Sequence, residues 1–170
     1  MSDTALPYRR FGSFLPGDGV GGAGVHWNGM LWRALDADLK MRSTVIEKYG
    51  ADFIPADMTV QDYPFTSEEM EPYFDKFEKI CGVAGQAGNV KGKIIEGGNP
   101  FETSRQNPYP TKPLKQQYAG MLFSKAAREL GYHPFPVPAA NCSEPWTNPY
   151  GVQLGVCNYC GFCERFGCFN

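Results

Sequence analysis

The sequence predicts an α+β fold with few helices, short strands and long loops. Its 170 residues include 20 Gly and 14 Pro, a composition that favours turns over long regular elements. Only two stretches show sustained helical periodicity, at residues 66–81 and 114–130, and the extended segments between them are a few residues long. A chain of this length is sufficient for one domain with a hydrophobic core.

In the first half, residues 1–16 predict a loop, residues 36–48 a short helix and residues 52–60 an extended segment. Thr66 and Glu69 then form the capping-box pattern of a helix start. The apolar residues that follow recur at helical spacing until Gly82, which predicts the end of this helix. Pro72 lies inside the pattern, so we expect a broken first turn or a second helix start there.

In the second half, residues 82–113 predict a long connection in which only residues 93–96 resemble a strand. Residues 114–130 predict a helix that ends at Gly131. Its apolar face, which includes Tyr118 and Met121, is expected to pack in the core. Residues 133–138 contain alternating prolines and predict an extended edge segment.

Charge and hydropathy argue against two classes of partner. The formal net charge is −2 with a pI near 5.7, and Lys and Arg form no run, so we expect no nucleic-acid binding. No stretch approaches the roughly 18–20 apolar residues that a membrane-spanning helix requires, and residues 1–11 lack the apolar part of a signal peptide.

The first candidate site is a glycine-rich run at residues 17–24, followed by an aromatic segment at residues 25–33. Residues 19–24 fit the G-x-G-x-x-G dinucleotide fingerprint, but no buried strand precedes them and residues 26–29 make a poor first helical turn. A purely structural turn is a second interpretation. The third is a glycine-lined surface against which a planar cofactor lies, with Asn28 able to hydrogen-bond the edge of its ring.

The second candidate site is a group of four cysteines in the last fourteen residues: Cys157, Cys160, Cys163 and Cys168. Glycines between them can fold the loop back so that the thiolates meet at one centre. The spacing approaches the ferredoxin iron–sulfur pattern, although the last interval is one residue longer and Phe169 replaces the proline. Zinc ligation is an alternative, although structural zinc pairs are usually about a dozen residues apart. Ordinary buried thiols or a disulfide are the other alternative.

Residues 21–30, which read Gly-Gly-Ala-Gly-Val-His-Trp-Asn-Gly-Met, resemble the flavin-contacting segment of the glucose–methanol–choline (GMC) oxidoreductase family. Residues 63–83 resemble a helix of that family, and residues 107–114 resemble the beginning of its substrate domain. The cysteine segment also matches, so the resemblance covers nearly the whole chain. It is strongest to the branch that contains the flavoprotein subunits of gluconate, glucose and other sugar dehydrogenases.

This resemblance implies an FAD-dependent oxidoreductase that acts on the CH–OH group of a sugar, polyol or sugar acid and passes hydride to the flavin. It implies nine cofactor-binding residues: Gly21, Gly22, Ala23, Gly24, Val25, His26, Trp27, Asn28 and Gly29. Structural roles for His26 and packing for Trp27 remain alternatives. In this branch electrons leave through an iron–sulfur cluster, which implies Cys157, Cys163 and Cys168 as ligands and Cys160 as a fourth ligand or a thiol with another task.

The resemblance also implies that the chain is an α+β fragment of an α/β FAD-binding fold. Residues 1–62 are expected to be the flavin-facing part of the FAD-binding domain, residues 63–156 part of the substrate domain, and residues 157–170 a truncated cysteine-rich segment. The catalytic residues are expected downstream, so this piece alone is expected to be inactive.

The expected partners are an alcohol or sugar substrate, a small subunit and a cytochrome c subunit, at the periplasmic face of a bacterial inner membrane. Two other functions remain open at this point: a stand-alone iron–sulfur electron-transfer module, and a structural zinc or disulfide domain.

Overall fold

A computed structural model describes residues 19–20, 22, 27 and 29–159 of the chain. These residues form four α-helices, one turn of 3-10 helix and two two-stranded antiparallel ribbons. In chain order the elements are α1 (Asp36–Leu39), α2 (Met41–Tyr49), a 3-10 turn (Ala51–Phe53), α3 (Ser67–Cys81), β1 (Asn89–Val90), β2 (Lys93–Ile94), α4 (Tyr118–Glu129), β3 (Trp146–Thr147) and β4 (Gln153–Leu154).

Helix α3 has the ends that the sequence predicts. Thr66 Oγ1 accepts a hydrogen bond from the amide of Glu69, and the Glu69 carboxylate accepts one from the amide of Thr66 at 2.7 Å. At the other end Gly82 adopts a left-handed conformation, with φ +61°. Pro72 lies within one continuous helix, so the expected break is wrong. Its exposed position lets water bond the carbonyl that loses its donor.

The other helical predictions are right in position and differ in extent. The segment predicted at residues 36–48 is helical but divided between α1 and α2 at Lys40, whose φ of −121° and ψ of 44° interrupt the helix. Residues 52–60 form no strand, so the extended prediction there is wrong. Helix α4 begins at Tyr118, four residues later than the predicted start at residue 114, and the predicted stop at Gly131 is confirmed by its φ of +80°.

Strands β1 and β2 form a hairpin within the long connection. Asn89 pairs with Ile94 and Val90 with Lys93, and the two residues between them, Lys91 and Gly92, have φ values of 53° and 79°. Two successive positive φ values are typical of the tight turn that matches strand twist. The predicted strand at residues 93–96 is confirmed in its first half, whereas its partner strand was not predicted.

The core is small and is centred on the segment that follows α3. Among the described residues, one cluster of the core contains four buried residues that pack together, Val83, Ala87, Tyr109 and Ala140. The segment is held by backbone hydrogen bonds, because Ala84 exchanges both of its bonds with Ala139, at 2.7 and 2.9 Å. The C-terminal end of α3 and residues 138–140 are therefore fixed relative to each other.

The apolar face of α4 is exposed in this structure. Tyr118 is 71% exposed, Phe123 70% and Met121 48%, so the expectation that this face packs in the core is wrong for the described residues. The parent α/β FAD-binding fold and the division into domains at residues 62 and 156 stay predictions.

Candidate functional site

The residues that follow the glycine-rich run lie antiparallel to residues 138–140. The amide of Ala140 donates to the carbonyl of Gly29 at 2.7 Å, and the amide of Leu31 donates to the carbonyl of Pro138 at 2.9 Å. Met30 and Ala139 form the bridge between these two bonds. The end of the predicted flavin-facing segment is thus joined by an isolated antiparallel bridge to residues 138–140, which are bonded in turn to Ala84 beside the core.

Gly29 is required by its own geometry. Its φ of +83° is unfavourable for a residue with a side chain, and an added Cβ would lie 2.9 Å from Nδ2 of Asn141. Gly22 also has a positive φ, of +56°, but a Cβ there meets no described atom within 4 Å. The close approach at Gly29 is therefore to Asn141, whereas the backbone at Gly22 faces open space among the described residues.

Trp27 has a packing role. The half-buried indole packs against the core cluster, and its N–H donates to the carbonyl of Met30 at 3.1 Å. This bond closes a tight loop between the tryptophan and the paired residues that follow it. Packing, one of the two expectations for Trp27, is what the structure shows, and its contact with a flavin stays a prediction.

Six of the nine predicted cofactor-binding residues lie outside the described residues: Gly21, Ala23, Gly24, Val25, His26 and Asn28. The three that are described, Gly22, Trp27 and Gly29, stand at the beginning and end of this segment.

A hollow of about 500 Å³ lies beside the bridge between Met30 and Ala139. It is lined by Met30, Ala139 and Asn141, by the residues 114–117 that precede α4, and by residues 135–137. Small-molecule sites are usually about 300–1,000 Å³ in volume and largely apolar. The volume of this hollow lies in that range, and its lining is largely apolar, which is compatible with a planar ring system beside the predicted flavin-facing segment.

A buried cluster of four charged side chains fixes the chain just after this segment. Arg33 makes two hydrogen bonds to the Glu78 carboxylate, at 2.7 and 2.8 Å, and one to Glu71 at 3.1 Å. Arg105 also donates to the Glu78 carboxylate, at the oxygen that Arg33 Nη2 bonds. The exposed fractions of the four side chains are 13% or less, so water screens their interactions weakly. No pattern in the sequence predicted this cluster.

The charges of this cluster balance. Two guanidinium groups face two carboxylates, and Glu71 also accepts the amide of Gln106 at 2.8 Å. Burial by itself lowers the pKa of Arg33, but hydrogen bonds and ion pairs with Glu78 and Glu71 outweigh it, so the pKa of Arg33 is raised. The guanidinium of Arg33 therefore stays charged at every accessible pH.

Tyr109 closes the cluster on its core side. The guanidinium of Arg105 lies 3.7 Å from the centre of the Tyr109 ring, an arrangement that attracts the cation to the aromatic face. Burial raises the pKa of Tyr109 to about 12, although the charge of Arg105 acts in the opposite direction.

The predicted cysteine site is described only at its first residue. The Sγ atom of Cys157 accepts a hydrogen bond from the amide of Tyr159 at 3.4 Å, and the amide of Cys157 donates to the carbonyl of Cys142 at 2.8 Å. The Tyr159 hydroxyl accepts the amide of Lys115 at 3.1 Å. The start of the cysteine segment is thus tied to two other parts of the chain.

The other three predicted ligands, Cys160, Cys163 and Cys168, lie outside the described residues. Within the part of the chain that the structure describes, no group of three or more His, Cys, Asp or Glu side chains could hold a metal ion. Among the same residues, no helix is both long and apolar enough to cross a membrane.

Cys81 and Cys142 lie close to each other as free thiols. The Sγ atom of Cys142 is 3.8 Å from the carbonyl oxygen of Cys81, and Cys81 packs against the core cluster. Burial raises the pKa of both thiols. Both thiols are therefore protonated at neutral pH.

Known proteins that resemble this chain are dehydrogenases. The chain is 45% identical over 171 residues to the gluconate 2-dehydrogenase flavoprotein of Pantoea cypripedii, a match that covers 99% of this chain and 28% of that protein. It is 34% identical over 128 residues to the fructose dehydrogenase large subunit of Gluconobacter japonicus, which covers 75% of this chain and 20% of that subunit. This chain is a relative of dehydrogenases.

A third relative is 2-methyl-1,2-propanediol dehydrogenase of Mycolicibacterium austroafricanum, 31% identical over 84 residues, or 49% of this chain. No family model matches the chain. The chain spans 28% of the length of the first relative and 20% of the second. These proteins confirm the predicted relationship to dehydrogenases and to a flavoprotein.

Proposed function

We propose that the full-length protein carrying this chain is an FAD-dependent dehydrogenase of the GMC family. It oxidises the CH–OH group of a sugar, polyol or sugar acid, with gluconate as the first substrate to test. The observation that carries this proposal is the 45% identity to a gluconate 2-dehydrogenase flavoprotein across 99% of the chain. Identity at this level over a whole segment favours a common fold and a common cofactor for that segment.

The role of this chain is to form one side of the flavin site. Bound FAD supplies the hydride acceptor for the alcohol carbon. In this proposal the backbone amides of residues 21–29 would contact the flavin ring, and the hydrogen bonds between residues 29–31 and residues 138–140 hold the end of that segment. Asn141 and Met30 line the adjoining hollow of about 500 Å³. No catalytic acid or base is assigned within the chain, and those residues are predicted to lie downstream.

The test is a reductive titration of the purified full-length protein. We expect about one flavin per protein and bleaching of its visible absorption when gluconate, a hexose or a polyol is added without oxygen. A protein that contains no flavin would contradict the proposal. A flavin reduced by none of these alcohols, but by a different class of donor, would contradict the substrate class alone.

We also propose that electrons leave through an iron–sulfur cluster held by Cys157, Cys163 and Cys168, with Cys160 as a fourth ligand or a free thiol. The supporting observation is the hydrogen bond from the Tyr159 amide to Cys157 Sγ, because amide donors stabilise a ligating thiolate and tune a cluster's potential. About three or four irons per flavin, with acid-labile sulfide, is the expected content. Zinc, or flavin without any metal, would eliminate the cluster and leave the dehydrogenase assignment standing.

The electron acceptor in this proposal is a cytochrome c subunit, with a small subunit as a further partner at the periplasmic face of a bacterial inner membrane. The name of one relative, a large subunit, indicates that at least that enzyme has other subunits. Co-purification of a haem protein with the full-length flavoprotein from its native host tests this part.

A further inference from the structure

We propose that Arg33 is a positioning residue that fixes the flavin-facing segment to helix α3, an inference that rests on the proposed function. Arg33 follows Gly29 by four residues, so the two are at most about 14 Å apart along the chain. Between them, Leu31 is bonded to Pro138 and packs against the core. The chain after Gly29 is therefore attached at two points, at Leu31 to residues 138–140 and at Arg33 to helix α3.

The strength of the attachment comes from its geometry. Arg33 presents Nε and Nη2 to the two oxygens of Glu78, at 2.7 and 2.8 Å, while Nη1 reaches Glu71 at 3.1 Å. This forked arrangement fixes both the distance and the angle of the guanidinium, which a lysine cannot do with a single ammonium group. The side chain also lies over the ring of Phe74, 5.6 Å from its centre. Three residues of α3 thus hold one side chain of the segment.

Arg105 makes Glu78 a rigid partner. Its guanidinium is fully buried, bonds Glu78 and also donates from Nε to the carbonyl of Asn107 at 2.7 Å. Glu78 cannot turn toward solvent without leaving a buried arginine unpaired, which is strongly unfavourable. The Glu78 carboxylate that binds Arg33 is consequently held in place by Arg105 as well.

The cluster contributes position more than electric field. Its two positive and two negative side chains cancel, so its potential falls quickly with distance. Loss of the Arg33 fork should therefore change where the flavin-facing backbone sits. Misplacement of a reacting group by about 1 Å can lower a rate by up to about a hundredfold.

The experiment compares Arg33→Met and Arg33→Lys with a matched control, Lys79→Met, in the full-length flavin-loaded protein. Lys79 lies on the same helix and forms a more exposed ion pair with Asp75 at 2.6 Å. The readouts are the visible circular dichroism of the bound flavin, kcat and KM.

We expect the Arg33→Met variant to show an altered flavin dichroism and a kcat lower by roughly tenfold or more, with KM changed much less. Arg33→Lys should be intermediate, because it keeps the charge and loses the fork, and Lys79→Met should match wild type. If the Arg33→Met variant does not fold, the flavin dichroism and kcat of the Arg33→Lys variant alone test the inference. Variants that fold and lose only thermal stability, with unchanged dichroism and kcat, would overturn the inference, whereas wild-type protein without flavin would overturn the proposed function itself.

Discussion

Glu78 is the side chain whose removal should have the largest local effect on this structure. The Glu78→Gln substitution keeps the shape of the residue but removes the negative charge that both Arg33 and Arg105 face at an exposed fraction of 3%. Breaking a buried ion pair from one side costs about 3–5 kcal/mol, because the remaining charge is buried without compensation. Here two arginines lose the negative charge that they share, so we expect a value within that range or above it.

The loss of stability in the Glu78→Gln variant can be measured locally by hydrogen exchange in the full-length protein. About 3–5 kcal/mol corresponds to an acceleration of roughly two to three and a half powers of ten for amides that exchange by opening of α3. Residues 74–81 are the amides to follow by mass spectrometry. Lys79→Met is the control, since exposed ion pairs contribute about 0–1 kcal/mol and its exchange should change less than tenfold.

Equal exchange in the Glu78→Gln and Lys79→Met variants would refute the reasoning. It would mean that the four-charge cluster adds no more to the stability of α3 than a surface pair does. The inference about Arg33 would lose its physical basis with it.

Three further predictions concern other parts of the structure. Gly29→Ala should speed exchange of the amides that join residues 29–31 to 138–140 by a factor about fivefold or more larger than that by which Gly151→Ala speeds exchange of the amides in its own turn. Both sites carry the roughly 1 kcal/mol cost of a positive φ, but only Gly29 adds crowding, of about 1–3 kcal/mol. Tyr109→Phe should reduce the loss of stability between about pH 10 and pH 12, by about 2–3 kcal/mol, measured by urea unfolding. Cys157→Ser should lower the iron content of the full-length protein, whereas Cys81→Ser should leave it unchanged.

The sign of the Tyr109 prediction follows from its raised pKa. The phenol is protonated in both states below about pH 10, so its contribution to stability is fully present there. As pH rises toward about 12, the unfolded chain ionises first and the contribution is lost. Phenylalanine keeps the ring over Arg105 and removes the ionisation. Identical pH dependence in wild type and variant would contradict the assigned burial.

For the cysteines and for Gly29, the contrary results are equally specific. Unchanged iron in the Cys157→Ser variant would remove that residue from the proposed ligands. Loss of iron in the Cys81→Ser variant would show that Cys81 is itself needed for iron binding. Equal exchange in the two glycine variants would show that Asn141 moves aside at negligible cost.

Sequence patterns predicted the features that depend on neighbours along the chain. Helix α3 begins after Thr66 and ends before Gly82 because both of its ends are local: a capping side chain three residues from its amide partner, and a glycine that tolerates a left-handed conformation. The stop of α4 at Gly131 has the same cause. The expected break at Pro72 failed because a proline on an exposed side removes one hydrogen bond that water replaces.

Tertiary structure alone decided the contacts that matter most at the candidate site. Arg33 and Glu78 are separated by 45 residues, and no periodicity or spacing in the sequence relates them. The need for glycine at position 29 arises from the side chain of Asn141, more than a hundred residues away. Sequence by itself determined the local elements and the relationship to dehydrogenases, because these follow from short patterns. The ion pairs of Arg33 and the contact between Gly29 and Asn141 form only when segments distant in the sequence pack together.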